Sequence, residues 1–93
     1  MNLTKSIVGN DTTIGAHCSI GMCSIGNHTK IADRVVLEDG VIVGNHVTIE
    51  AGCILEADVH VGNHAVICAG SIIRKRVKIP SKTRVECGSV VQK

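Results

Sequence analysis

The sequence predicts an all-β solenoid, a single chain wound into about five triangular coils of short parallel strands. Three observations predict it. Aliphatic residues recur every six positions, a small or β-branched residue stands four positions after each of them, and one Gly-Asn corner returns about every eighteen residues along the 93-residue chain. The composition agrees with this reading. The chain is 44% hydrophobic yet has no Phe, Trp or Tyr, so its core must be built from 28 Ile, Val and Leu residues. A conventional globular core is hard to fill that way. A stack of similar rungs needs only side chains of one size at repeated seats.

The aliphatic series opens at Val8, Ile14 and Ile20. After one five-residue step it resumes at Ile25, Ile31, Leu37, Val43, Ile49, Leu55, Val61, Ile67, Ile73, Ile79, Val85 and Val91. The second series is Thr12, Cys18, Ser24, Thr29, Val35, Val41, Val47, Cys53, Val59, Ala65, Ser71, Val77, Thr83 and Ser89. Both series point inward, and the residue between them points outward, because side chains alternate along a strand. Each six is therefore a three-residue strand plus a three-residue corner. A helix would need spacings of three and four, and hairpins would need turn signals at every reversal. Neither fits a steady six. Three sixes close a triangular rung that stacks on the next at about 4.8 Å, giving a prism roughly 24 Å long. The five-residue step from Ile20 to Ile25 removes one outward residue and predicts a bulge or a tightened edge. Residues 8–91 carry the repeat, residues 1–7 are expected to cap one end, and the whole reads as a single domain over 1–93.

One corner repeats visibly as Val8-Gly9-Asn10-Asp11, Ile25-Gly26-Asn27-His28, Val43-Gly44-Asn45-His46, Val61-Gly62-Asn63-His64 and Ile79-Pro80-Ser81-Lys82. Gly and Asn tolerate positive φ, which a sharp corner is expected to need.

Winding the chain sorts the outward residues into three faces. The first carries Ser19, Val36, Ile54, Ile72 and Val90; the second Ile7, Ile42, His60 and Lys78; the third Thr13, Lys30, Thr48, Val66 and Arg84. Only the first is a continuous aliphatic stripe. Contiguous apolar surface marks an interface, and so short a chain gains stability by association, so a homo-oligomer through Val36, Ile54, Ile72 and Val90 is expected.

The composition also excludes partners. A net charge of +2 without aromatic stacking platforms argues against nucleic acid. No apolar run approaches 18 residues, and no charged leader precedes an apolar stretch, so no membrane association is expected and the location expected is the cytoplasm. Five Cys residues in odd number, without CxxC pairs, are expected to be reduced thiols. Cys18 and Cys53 share an inward column with Val35 between them. Cys23, Cys68 and Cys87 are placed on corners, open to reaction, although no neighbouring His and acid specify a nucleophile.

Two clusters remain. His28, His46 and His64 stack on one corner. Imidazoles laddered along an axis diverge, whereas zinc needs ligands that converge, so no metal site is expected there. Arg74, Lys75, Arg76, Lys78, Lys82, Arg84 and Lys93 crowd the C-terminal coils against a single Glu86. They suit a phosphorylated ligand, or else pair across rungs with Glu38, Asp39, Glu56 and Asp58.

With these residues placed, the stretch from Val8 to Val91 resembles the hexapeptide-repeat, left-handed β-helix proteins, which include many bacterial acyltransferases. Val43-Gly44-Asn45-His46-Val47-Thr48-Ile49 and Ala69-Gly70-Ser71-Ile72-Ile73 are similar to the final coils of sugar and maltose acetyltransferases. The resemblance implies the left hand of the coil and a trimer. It also implies acetyl-CoA as co-substrate in a groove between subunits and a His as general base for a hydroxyl or amine acceptor. Aligned through Val43-Gly44, the family's His falls opposite Asp39 in Leu37-Glu38-Asp39-Gly40. His17, on a corner flanking the stripe, and His60, on the adjacent face, are the other candidate bases. Gly70 is implied as a place where a pantetheine arm runs, and Arg74 and Lys75 are candidate phosphate ligands. The chain also resembles γ-class carbonic anhydrases, but the positions of their closely spaced His ligands hold Ala51 and Glu56, so no metal is expected. The readings left open are an acetyl-CoA-dependent acyltransferase, a noncatalytic oligomeric scaffold similar to the hexapeptide-repeat subunits of motor adaptors, and a metal-dependent hydratase.

Overall fold

The structure, a computed structural model, describes residues 2–3 and 6–92. Its regular elements are two-residue strands, joined through short corners, and no helix occurs among the described residues. The strands pair in parallel as three sheets, one to each side of a triangular coil. The first face is built from Asn2–Leu3, Ser19–Ile20, Val36–Leu37, Ile54–Leu55, Ile72–Ile73 and Val90–Val91. The second runs from Ile7–Val8 through Ser24–Ile25, Ile42–Val43 and His60–Val61 to Lys78–Ile79, and the third from Thr13–Ile14 through Lys30–Ile31, Thr48–Ile49 and Val66–Ile67 to Arg84–Val85. The Cα extents are 27 × 20 × 20 Å, so the long axis matches the stack of rungs expected from the repeat.

Each coil holds the next by hydrogen bonds of two senses. Along the strands an N–H donates forward to the following coil, as Gly26 does to the carbonyl of Val43 at 2.8 Å and Gly44 to that of Val61 at 2.9 Å. At the corners the N–H donates backward, as His46 does to Asn27 and His64 to Asn45, both at 2.9 Å. The inward seats form the core. Val35, Val41, Val47, Ile49, Leu55 and Ile67 are fully buried, each contributing about 1.5–3 kcal/mol relative to exposure. Among the described residues Thr29 and Ser71 are the buried polar ones, and both are satisfied: Thr29 donates to the carbonyl of Gly44 at 2.8 Å, and Ser71 Oγ lies 2.7 Å from the carbonyl of Cys68 and 2.9 Å from that of Glu86.

The repeated Gly-Asn corner differs from expectation in the part each residue plays. Positive φ falls on the third residue, with Asp11, His28, His46, His64 and Lys82 all near +60°. Gly44 does not occupy that region. It is required because a Cβ there would collide with Oδ1 of Asn63, which reaches back so that the Asn45 N–H can donate to it at 2.8 Å. The Asn side chain thus clamps coil to coil, and the Gly makes room for it.

The short step also resolves differently. The missing residue comes out of the corner, where Met22 alone turns the chain between Gly21 and Cys23, and the strands on either side keep their register. Counting forward from Ile20 put Ser24 inside, but Ser24 faces outward on the second face, and Cys23, expected on a corner, takes the inward seat at 5% exposure. The seat is fixed by the strand that follows it, two residues before Ile25. At the N-terminal end, part of the expected cap is described: Asn2–Leu3 adds a strand to the first face. Residues 1, 4 and 5 of that cap lie outside the described residues. Val8 is 37% exposed, so the second face ends open on this side.

Candidate functional site

Five of the six candidate residues divide between the two edges of the first face. The leading edge is the corner that enters it from the third face. His17 stands there in the first coil and Gly70 in the fourth, both with positive φ. The trailing edge is the corner that leaves it for the second face, and it carries Asp39 in the second coil and Arg74 and Lys75 in the fourth. Gly70 and Arg74-Lys75 therefore bracket one strand, Ile72–Ile73. His60 sits beyond the trailing edge, outward on the second face between Ile42 and Lys78. Within one chain Asp39 shares the trailing edge with Arg74 and Lys75, two coils before them, whereas His17 stands on the leading edge and His60 on the second face.

Side-chain acceptors stitch the trailing edge together. Asp39 Oδ1 accepts the N–H of Met22 at 2.9 Å, Glu38 accepts that of Ala57 at 3.1 Å, and Glu56 Oε1 accepts both the N–H of Lys75 and Nε–H of Arg74, each at 3.1 Å. Asp39 is thus a structural acceptor with one oxygen engaged. It also lines a shallow depression of about 370 Å³ with Ser19, Val36, Glu38 and Ala57, on the margin of the apolar stripe. The Arg74–Glu56 pair realises one of the cross-rung pairings expected from sequence. Among the described residues, Lys75, Arg76, Lys78, Lys82 and Arg84 have no carboxylate within salt-bridge distance, which leaves the last coils basic. Lys93 lies outside the described residues.

Gly70 has φ +74° and its flank is open: a Cβ there would come no closer than 4.0 Å to the backbone of Gly88. Gly52 and Gly88 repeat that geometry in the coils on either side, with nothing within 4 Å. Sequence reasoning singled out Gly70 and missed that it belongs to a column of three. The signal was present, as Ala51-Gly52, Ala69-Gly70 and Cys87-Gly88 recur at eighteen.

The stripe itself is in register, Val36 against Ile54, Ile54 against Ile72, and Ile72 against Val90. The first three are half-buried between their neighbours, and Val90, at the end of the stack, is 53% exposed. Ile42 and Ile7 on the second face are exposed as well, but Ser24 interrupts them there. On the opposite corner the imidazoles of His28, His46 and His64 stack at centroid separations of 5.0 and 4.9 Å with ring planes 12° and 1° apart. His28 Nδ1 lies 3.6 Å from a carboxylate oxygen of Asp11.

The cysteines depart from expectation. Cys18, Cys23 and Cys53 are buried free thiols, and burial pushes Cys23 and Cys53 above the ordinary thiol value, so both are held as neutral core residues. Cys68 and Cys87, read from the sequence as reduced corner thiols, form a disulfide between successive coils with a Cα–Cα separation of 4.4 Å. Cys68 is only 6% exposed, while Cys87 is on the surface.

No helix among the described residues is long and apolar enough to cross a membrane. A family model described as bacterial transferase hexapeptide (six repeats) matches residues 22–57 and 40–75. No curated protein matches the chain.

Proposed function

Because the chain belongs to the bacterial transferase hexapeptide family, we propose that it acts as a cytoplasmic homotrimer, packed through the first face, that moves an acetyl group from acetyl-CoA to a small hydroxyl or amine acceptor. The observation that carries this reading is the placement of the candidates on opposite edges of the one aliphatic face. When three copies turn that face toward a common axis, the leading edge of each meets the trailing edge of the next. Such a groove is lined by His17 and Gly70 of one subunit and by Asp39, Arg74 and Lys75 of its neighbour. Proteins of this repeat type commonly associate, which supports the arrangement.

In that groove Lys75, with no carboxylate in reach among the described residues, and Arg74, partly engaged by Glu56, attract the phosphates of the coenzyme. The open flank at Gly70 admits the pantetheine arm against the backbone. A base takes the acceptor's proton, the freed oxygen or nitrogen attacks the thioester carbonyl, and the carbon–sulfur bond breaks to release the coenzyme thiol, which recovers a proton. His17 is the base favoured here, since Asp39 already spends one oxygen on Met22 and His60 lies on the second face.

Titration of the oligomer with acetyl-CoA in a calorimeter tests the reading. Saturable binding is expected, weakened about tenfold by Arg74→Ala or Lys75→Ala, the loss of one charge-assisted phosphate contact being about 1.4 kcal/mol. A second reading, a noncatalytic assembly module, is favoured by the uninterrupted winding, in which, among the described residues, every corner is short and no loop departs to hold an acceptor. An oligomer that shows no saturable acetyl-CoA binding supports that reading instead.

A further inference from the structure

We infer that Glu50, Cys68 and Cys87 form a redox-gated site for a thiophilic divalent cation such as zinc, loaded when the Cys68–Cys87 disulfide is reduced. The three residues come from three successive coils at the leading edge of the first face, outside the groups assigned to acetyl transfer. Their donor atoms converge: one from each lies within 4.8 Å of the others, and Cys68 Sγ is 3.4 Å from Glu50 Oε1. Tetrahedral zinc with Zn–S of about 2.3 Å and Zn–O of about 2.0 Å places a sulfur and an oxygen ligand about 3.5 Å apart, the separation found here. This is the convergence that the stacked imidazoles of His28, His46 and His64 lack.

The surroundings suit an ion that enters from one side. Cys68 is buried, Glu50 is half-buried and Cys87 is exposed, while beside Gly52 and Gly88, their chain neighbours aside, no atom lies within 4 Å of where a Cβ would stand. Two thiolates with one carboxylate make a soft, doubly sulfur-ligated set that prefers zinc to calcium or magnesium, with water as the fourth ligand.

The gating step balances. A dithiol in solution passes two electrons and two protons to the Cys68–Cys87 disulfide and closes to its own disulfide. The protein's sulfur–sulfur bond breaks to give two thiols, and the arriving cation displaces their two protons to water. Oxidation by a disulfide reverses the exchange and expels the ion.

The test uses the full chain, without a His tag, reduced with dithiothreitol, freed of it anaerobically and titrated with cobalt(II). One cobalt per chain is expected, with thiolate-to-metal charge-transfer absorption. That absorption is expected to be absent from the oxidised protein and from Cys87→Ser, to form at a cobalt concentration roughly tenfold or more higher in Glu50→Gln, and to be unchanged in His46→Ala. Cys87 is on the surface, so its variant keeps the fold, which circular dichroism checks. No thiolate band in the reduced protein, a band that survives Cys87→Ser, or cobalt binding that disappears with His46→Ala would each overturn the assignment.

Discussion

Single side chains hold the coils at their corners, and Asp39 shows how one residue can serve two readings. Its carboxylate oxygen accepts the Met22 N–H across the shortened corner, the work that Asn27, Asn45 and Asn63 do at the repeated corner. An amide accepts that bond as well as a carboxylate does, but it cannot take a proton. Asp39→Asn is therefore expected to change the unfolding free energy by less than about 0.5 kcal/mol, whereas Asp39→Ala costs about 1 kcal/mol in urea denaturation. Acetyl transfer lost in Asp39→Asn at full stability would make Asp39 the base in place of His17. At this scale the sequence was legible wherever a residue repeats a seat. The inward columns and the outward stripe follow from counting. Cys23 was misplaced because the count ran forward across a corner one residue short. The Cys68–Cys87 pair was invisible because it joins positions 19 apart, which are not equivalents in an eighteen-residue coil. The positive φ of His46 was hidden because the backbone, not the residue type, selects the third place of the corner.

Among the elements, the first face differs from the other two in having nothing polar between Val36 and Val90 in its outward column. The second face offers an internal control, since Ile42 is exposed there between Ser24 and His60. Ile54→Asp is expected to convert the proposed trimer to monomers in sedimentation velocity, while Ile42→Asp leaves the sedimentation coefficient unchanged. A charge on the stripe that does not dissociate the protein would move the interface to another face and take the proposed groove with it. The stripe could be read from the sequence because outward residues fall on one line at every eighteenth place. The groove could not, because its two walls come from different copies, and one chain's sequence orders residues along itself only.

Across the whole molecule the buried thiols give stability a dependence on pH. Burial raises Cys23 and Cys53 above the ordinary thiol value of 9.0, so the folded chain retains protons that the unfolded chain releases. The stabilisation is complete below that value and is lost as pH rises from it toward the folded-state values. Midpoints of urea unfolding are expected to fall above about pH 9, and less steeply in Cys53→Val, which places in that seat the residue found at Val41, Val47 and Val59. An identical slope in the variant would remove Cys53 as a cause.

The backward-reaching Asn and the Gly that admits it have one more consequence. Because Gly44 meets Asn63 as Gly26 meets Asn45, the chain contains interchangeable seams. Excising residues 45–62 joins Gly44 directly to Asn63 and rebuilds the same Gly-Asn-His junction with every later side chain still on its own face. Such a shortened protein should give a cooperative unfolding transition with a smaller denaturant slope, whereas removing nine residues from the same place should yield none. Length in this molecule is then a quantity that heredity can alter by whole storeys, the way a tower loses a floor and keeps its plan.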